Sequence, residues 1–186
     1  MLVLDAPTLM NERIVCSVTA AHKFHVPANI LLAIAEKEGG KHQQWIKNKN
    51  GSFDVGPMQF NTQYLKDLMP YGIVPEDVAK EGCFSYDLAA FRLKEHLSEK
   101  GADVFTKASN YHSRTPKYNA LYREDLIKKA EKWGKWLDEN FRKMPLPEKP
   151  TFQNVNHLKS KPLPTAKALL DAFYAPNRLE FYRKAL

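Results

Sequence analysis

The spacing of apolar residues predicts a chain that is helical almost throughout. Apolar side chains recur at helical spacing from about Asn11 to His25, and a second run, from Pro27 to Glu38, is apolar nearly all round. The second run therefore predicts the most buried helix, with Pro27 at its opening and Glu38 in its last turn. Gly39 follows directly, where a helix C-terminus commonly needs a left-handed residue.

Residues 41–60 lose this helical periodicity. The Asn50-Gly51 pair lies between β-favouring residues, a pattern typical of a hairpin turn. We therefore expect a mainly α fold with a short β or irregular segment near 44–60.

Capping residues and prolines predict the remaining helices. They cover about 61–68, a turn begun by Pro75, 85–100 with Gly101 as its stop, 102–111, and a long helix from Pro116 to about Phe141. Ser85 is the expected cap of the 85–100 helix. Tyr118 and Leu121 are among the expected apolar positions of the long helix.

The sequence changes character at position 141. Residues 141–186 are rich in proline and carry 9 basic against 3 acidic residues, whereas residues 1–140 are nearly balanced. We expect a main domain, 1–140, and a basic arm, 141–186, whose short C-terminal helix docks on Trp133 and Trp136. The charge of the arm indicates contact with an anionic surface (wall polymer, membrane or nucleic acid) or only a solvated tail.

Targeting signals are not evident in the sequence. No apolar run approaches the roughly 20 residues that span a bilayer, so we expect no transmembrane helix. The N-terminus carries Asp5 and Glu12 without a basic start, unlike a signal peptide. The chain is thus expected to be cytosolic or to have lost its export signal.

Glu38 is the first candidate for chemistry. A carboxylate at a helix C-terminus is disfavoured by the helix dipole by about 0.3–1 kcal/mol, and burial against the apolar helix can raise its pKa by several units. A carboxyl that stays protonated near neutral pH suits a general acid in glycosidic cleavage. The residue pattern alone leaves open an ordinary acidic residue at a helix end.

Three motifs, "AIAEKEGG", "NGSFDVGPMQF" and "SNYHSRTPKYNALY", resemble in order and spacing the lysozyme-like lytic transglycosylases. The likeness spans roughly residues 14–130 and is greatest to members serving type IV secretion, conjugation and pilus systems. It implies a goose-type (SLT) helical domain that cleaves peptidoglycan between N-acetylmuramic acid and N-acetylglucosamine. The implied product is a 1,6-anhydro sugar.

The resemblance also implies roles for individual residues. Glu38 matches the sole catalytic acid and base, so no second carboxylate is needed, unlike in two-carboxylate glycosidases. Positions expected to contact substrate or line the groove are Ser52, Asp54, Gly56, Met58, Gln59, Tyr111, His112 and Tyr122. Two positions depart from the pattern: Gly39 replaces a frequent serine, and His112 replaces an asparagine.

The two cysteines take their meaning from the same resemblance. Members of this branch often carry one cysteine in the first helix and another after the "GPMQ" region, which implies a Cys16–Cys83 disulfide. A disulfide favours the periplasm, whereas the lack of a recognisable signal leaves the cytoplasm open.

No cofactor and no metal are expected. His22 and His25 lie three apart on one helix, but spacing places no third ligand. The expected partners are peptidoglycan glycan strands and components of a type IV secretion or pilus system. Alternatives are a hydrolytic muramidase, a non-catalytic peptidoglycan-binding scaffold, and a nucleic-acid-binding protein, for which no recognised motif is present.

Overall fold

The structure is a computed structural model that describes residues 8–141 of the 186-residue chain. Within that range the helices are α1 Thr8–Phe24, α2 Ala28–Glu38, α3 Thr62–Leu68, α4 Pro75–Ala79, α5 Phe84–Ser98, α6 Val104–Ser109 and α7 Pro116–Phe141. The strands β1 Trp45–Lys47, β2 Phe53–Val55 and β3 Phe60–Asn61 form one antiparallel sheet in the order β1-β2-β3. The mainly α fold with a small β segment is confirmed.

Helix α2 is the centre of the core, as its apolar pattern predicts. Its residues 30–35 are all at most 3% exposed, and the helix packs against α1, α5 and α7. Gly39 caps its C-terminus, and the left-handed φ of 59° at Gly39 lets its N–H reach the carbonyl of Ala35 at 3.2 Å. The last residue of the helix, Glu38, is therefore held at the edge of the core.

The β segment folds back against this helix end. Strands β1 and β2 pair in the register Trp45↔Val55, and the loop between them turns at Gly51, which has a φ of 84°. The hairpin predicted from the Asn-Gly pair is thus present.

Helix α5 starts differently from the expectation. Cys83 stands at its N-cap, and the Cys83 carbonyl accepts a hydrogen bond from the N–H of Asp87 at 2.9 Å. Ser85 is buried within the first turn, and its hydroxyl bonds to none of the described residues. The predicted cap at Ser85 is therefore wrong, and the helix also ends before Gly101.

A disulfide joins Cys16 in α1 to Cys83 at the start of α5, the pairing implied by the resemblance. The two Cα atoms are 4.9 Å apart, and the residues are separated by 67 positions. Closing a loop of this length stabilises the fold by about 4 kcal/mol on the chain-entropy model. The bond fastens together two helices that also pack on each other.

The long helix α7 follows its prediction in length but not in every buried position. Leu126 and Ala130 are fully buried, whereas Tyr118 and Leu121 are 55% and 60% exposed. One face of the first turns of α7 is thus exposed, with Tyr118 lining a cleft, whereas Tyr122 on another face is 5% exposed and belongs to the core.

The predicted basic arm and its docking fall outside the described residues. Where the chain is described, Trp133 is mostly buried, and its indole N–H donates to Glu36 of α2 at 2.6 Å. Between residues 8 and 141, none of the helices combines the length and apolar content needed to cross a membrane.

Candidate active site

A cleft of about 830 Å³ runs between the end of α2, the β segment, α5 and the start of α7. Its lining is mostly polar, with two carboxylates, two cations and three aromatic rings. The lining residues are Glu38, Asn48, Lys49, Asn50, Asp54, Gln59, Asn61, Arg92, Tyr111, His112 and Tyr118.

The glycine after Gly39 allows the chain to double back beside Glu38. A Cβ on Gly40 would lie 2.2 Å from the carbonyl oxygen of Gly56 and 2.5 Å from the side-chain nitrogen of Gln59. Backbone therefore packs directly on backbone at this point. The N–H of Gly40 also donates to the carbonyl of Pro57 at 3.2 Å, so the end of α2 is tied to the "GPMQ" turn.

The "GPMQ" turn is held on its other side by α4. Gly56 has a φ of 72°, and a Cβ there would lie 2.1 Å from the carbonyl oxygen of Val78. Gln59 has a φ of 49°, unusual for a residue with a side chain. Its amide donates to the carbonyl of Gly56 at 2.8 Å, which compensates for this backbone conformation and leaves Gln59 in the cleft wall.

Glu38 receives a hydrogen bond from a buried residue of α7. The hydroxyl of Tyr122, on α7, donates to Oε1 of Glu38 at 2.6 Å. Oε2 of Glu38 accepts no hydrogen bond from the described residues, so it is available to a substrate in the cleft. One carboxylate oxygen is thereby oriented, and the other is left for chemistry.

The pKa of Glu38 is raised to about 7, mainly because burial disfavours its charged form. The Tyr122 hydrogen bond and the charges of Lys37 and Arg92 oppose this rise, and the charge of Asp54 adds to it. The carboxyl is therefore divided between its protonated and ionised forms near neutral pH. A group in this state can both donate and accept a proton.

The ring of Tyr122 is itself held in position. The His112 imidazole stacks on it with 4.8 Å between centroids and 6° between planes, and the Lys37 ammonium lies 4.7 Å from its centroid. Lys37 is anchored in turn by Asp125 at 2.5 Å. Burial, followed by the charge of Lys37, lowers the pKa of His112, so this imidazole is neutral at pH 7.

Tyr111 supports the floor of the cleft. Its hydroxyl donates to the carbonyl oxygen of Met58 at 3.1 Å, and the Met58 side chain is fully buried. Met58 therefore belongs to the core and contributes to the site through its backbone. The Met58 side chain does not line the cleft.

The β segment supplies a polar wall with the second carboxylate. The amide of Asn61 donates to Asp54 at 2.8 Å and to the Ser52 hydroxyl at 3.0 Å, and Ser52 donates to Asn50 at 2.7 Å. The Asn61 side-chain oxygen also caps α3 by accepting from Gln63 N–H at 2.9 Å. Asp54 is thus fixed by the same residue that starts the next helix.

The residues expected from the sequence divide into two groups. Five of them line the cleft: Glu38, Asp54, Gln59, Tyr111 and His112. Four lie behind its surface and support it: Ser52, Gly56, Met58 and Tyr122. Among the described residues no group of three His, Cys, Asp or Glu side chains converges as a metal site.

Comparison with known proteins gives one family and several relatives. Residues 16–132 match the transglycosylase SLT domain. Protein IpgF of Shigella flexneri is 31% identical over 118 residues, which cover 61% of this chain and 78% of that protein. The invasion protein IagB of Salmonella typhimurium is 28% identical over 130 residues, which cover 69% of this chain and 76% of that protein.

Proposed function

The chain belongs to the transglycosylase SLT domain family of peptidoglycan lytic transglycosylases, and on that basis we propose that Glu38 is its catalytic acid and base. The proposed reaction cleaves the β-1,4 bond between N-acetylmuramic acid and N-acetylglucosamine. The observation that carries the proposal is a largely buried carboxyl of pKa about 7 that lines a cleft of about 830 Å³. Tyr122 orients one oxygen of this carboxyl and leaves Oε2 open.

The first step is cleavage of the glycosidic bond. Protonated Glu38 transfers its proton to the glycosidic oxygen, the C1–O bond breaks, and the electron pair leaves with the N-acetylglucosamine oxygen. The muramyl ring then carries oxocarbenium character. The Glu38 carboxylate, together with Asp54 in the same cleft, gives the negative field that this positive charge requires.

The second step closes the ring. The Glu38 carboxylate removes the proton from the muramyl 6-hydroxyl. The O6 atom of the same muramyl residue then bonds to C1 and gives the 1,6-anhydro product. Water is not consumed, and Glu38 is returned to its protonated form. Both steps use one carboxyl, which suits a group whose pKa lies near the working pH.

A hydrolytic muramidase is the second candidate, and Asp54 is the observation that favours it. Asp54 lines the same cleft as Glu38 and is held by Asn61 at 2.8 Å. A carboxylate placed across the cleft could activate a water molecule, as in inverting glycosidases. The two reactions differ in their products: hydrolysis gives reducing ends, and the proposed reaction gives anhydro ends.

The experiment that tests the proposal is mass spectrometry of muropeptides released from purified sacculi. We expect anhydro ends from the wild type, none from Glu38→Gln, and anhydro ends from Asp54→Asn at reduced yield. Reducing ends that disappear in Asp54→Asn would instead establish the hydrolytic reaction. No release by the wild type would favour the non-catalytic wall-binding scaffold.

We also propose that the protein acts in the periplasm, where it would open the wall for a type IV secretion, conjugation or pilus apparatus. The Cys16–Cys83 disulfide fits an extracytoplasmic location, and one relative is named an invasion protein. Trapping of thiols in intact cells should find both cysteines oxidised. Deletion of the gene should reduce transfer by the apparatus, and wild type but not Glu38→Gln should restore it.

A further inference from the structure

Arg92 is a cation of the cleft that the proposed reaction does not use. It lies on α5 and lines the cleft together with Glu38. Its guanidinium is 4.2 Å from the ring centroid of Tyr64 and 4.8 Å from that of Tyr111.

The guanidinium of Arg92 has no carboxylate partner within the part of the chain that is described. Two other arginines are paired with carboxylates: Arg114 contacts Glu99 at 2.6 Å, and Arg123 contacts Asp103 at 3.3 Å. Arg92 is held instead by aromatic rings, which contact the face of a guanidinium and leave its N–H edge free. A free guanidinium edge matches the two oxygens of a carboxylate.

The position of Arg92 also counts against a purely structural role. Its charge favours the ionised form of Glu38, whereas the proposed reaction begins from the protonated form. A cation that lowers the pKa of the proposed acid is better explained if it binds an anionic group of the substrate. Where a stem is attached, the lactyl carboxyl of the muramyl residue is an uncharged amide, and the carboxylates lie on the peptide stem.

We propose that Arg92 binds a carboxylate of the peptide stem and so makes strands that carry stems the preferred substrate. This inference rests on the proposed function, because it requires a glycan strand in the cleft. The Tyr64 and Tyr111 rings fix the plane of the guanidinium before substrate arrives. Less freedom is then lost on binding than for an exposed lysine.

The test compares strands with stems against strands from which an amidase has removed the stems and whose freed lactyl carboxyls have then been amidated, because the amidase leaves a carboxylate on each muramyl residue. Arg92→Gln should lower kcat/KM for stem-bearing strands by at least about tenfold, the scale of one charge-assisted hydrogen bond, and leave stripped strands unchanged at the pH of maximal rate. Arg92→Lys should recover only part of the loss, because an ammonium cannot present two parallel N–H groups.

Lys94 offers the matched control, since it is an exposed lysine on the same helix and does not line the cleft. Lys94→Gln removes the same charge from α5 and should behave as the wild type on both substrates. Equal losses on both substrates in Arg92→Gln would overturn the inference, as would no loss on either.

A change in the substrate removes any dependence on how the variants fold. Amidation of the stem carboxylates should reduce kcat/KM of the wild-type protein by a similar factor, and Arg92→Gln should not distinguish amidated from free stems. Equal turnover of amidated and free stems by the wild type would contradict the role of Arg92. Failure of the wild type to cleave any strand would instead count against the proposed function.

Discussion

The C-terminal ends of α2 and α5 each carry a glutamate, and the two carboxyls differ widely in acidity. Glu38 is the last residue of α2, and Glu99 directly follows the last residue of α5. The pKa of Glu38 is raised to about 7, mainly by burial. The pKa of Glu99 is lowered to about 2, first by hydrogen bonds from Arg114 and then by one from His96.

The helix dipole does not explain this difference. Both carboxyls face the negative end of a helix, so the dipole disfavours the charged form of each by a similar, small amount. What differs is the partner: a neutral hydroxyl on Glu38 at 2.6 Å, and a guanidinium on Glu99 that contacts both oxygens at 2.6 and 3.0 Å. Burial beside a neutral donor keeps the Glu38 carboxyl protonated up to about pH 7, whereas pairing with a cation keeps the Glu99 carboxyl ionised and bound to Arg114.

The largest expected contrast is in activity. Glu38→Gln should lower kcat on sacculi by about a hundred- to ten-thousandfold, the range for loss of a general acid. Glu99→Gln should retain nearly full activity, because Glu99 does not line the cleft. The rate at which each variant releases label from sacculi measures both effects. Comparable losses of activity in Glu38→Gln and Glu99→Gln would contradict a catalytic role that belongs to Glu38 alone.

The second contrast is in stability as a function of pH. The pKa of Glu38 rises from 4.5 to about 7 on folding. Between these pH values the carboxyl ionises more readily in the unfolded chain, so the free energy of unfolding falls as pH rises from 4.5 to 7. Glu38→Gln carries no charge and should exceed the wild type by up to about 3 kcal/mol above pH 7. The gap should vanish near pH 4. Urea unfolding at pH 4 and pH 8 measures it, and a pH-independent gap would contradict the burial of the charge.

The third contrast concerns the donor to Glu38. The wild-type rate should fall as pH rises through about 7. Tyr122→Phe removes a hydrogen bond to the ionised carboxyl and should move this limit upward by about one unit. Tyr111→Phe is the control, since the Tyr111 hydroxyl donates to Met58 and not to Glu38. A shift of equal size in both variants would assign the effect to packing.

The smallest effect is expected at the end of α5. Glu99 is 34% exposed, so Glu99→Gln should cost less than about 1 kcal/mol at neutral pH. Because the pKa of Glu99 is lowered on folding, its contribution is present above pH 4.5 and is lost toward pH 2. Melting temperatures across this range should converge at acid pH. Divergence there would mean that Glu99 is held by something other than its charge.

The sequence predicted the helical frame well because its signals are local. The apolar run of α2, the left-handed Gly39 and the proline that opens α7 act within a few residues, and each was placed correctly. The start of α5 was misplaced because Ser85, a good cap by type, is drawn into the core. Burial of that kind depends on distant packing and leaves no local signal.

The candidate site was predictable only in part. Asn48 and Lys49 directly precede the Asn50-Gly51 pair, so the place of Asn48, Lys49 and Asn50 in the cleft wall could have been inferred. Arg92 and Tyr118 could not, because the helix face that meets the cleft is set by how α5 and α7 pack. The Tyr122 contact with Glu38 joins residues 84 positions apart, and residue spacing alone contains no trace of it.

The packing of Gly40 on Gly56 has a consequence for variant libraries. A scan that scores cellular abundance should tolerate most polar replacements at Glu38, since the fold does not need that carboxyl. The same scan should reject even alanine at Gly40, where a Cβ would lie 2.2 Å from backbone. A scan that scores wall lysis should reject replacements at both Gly40 and Glu38. Comparing the lysis score with the abundance score therefore separates positions that build the catalytic groove from Glu38, the residue proposed to perform its chemistry.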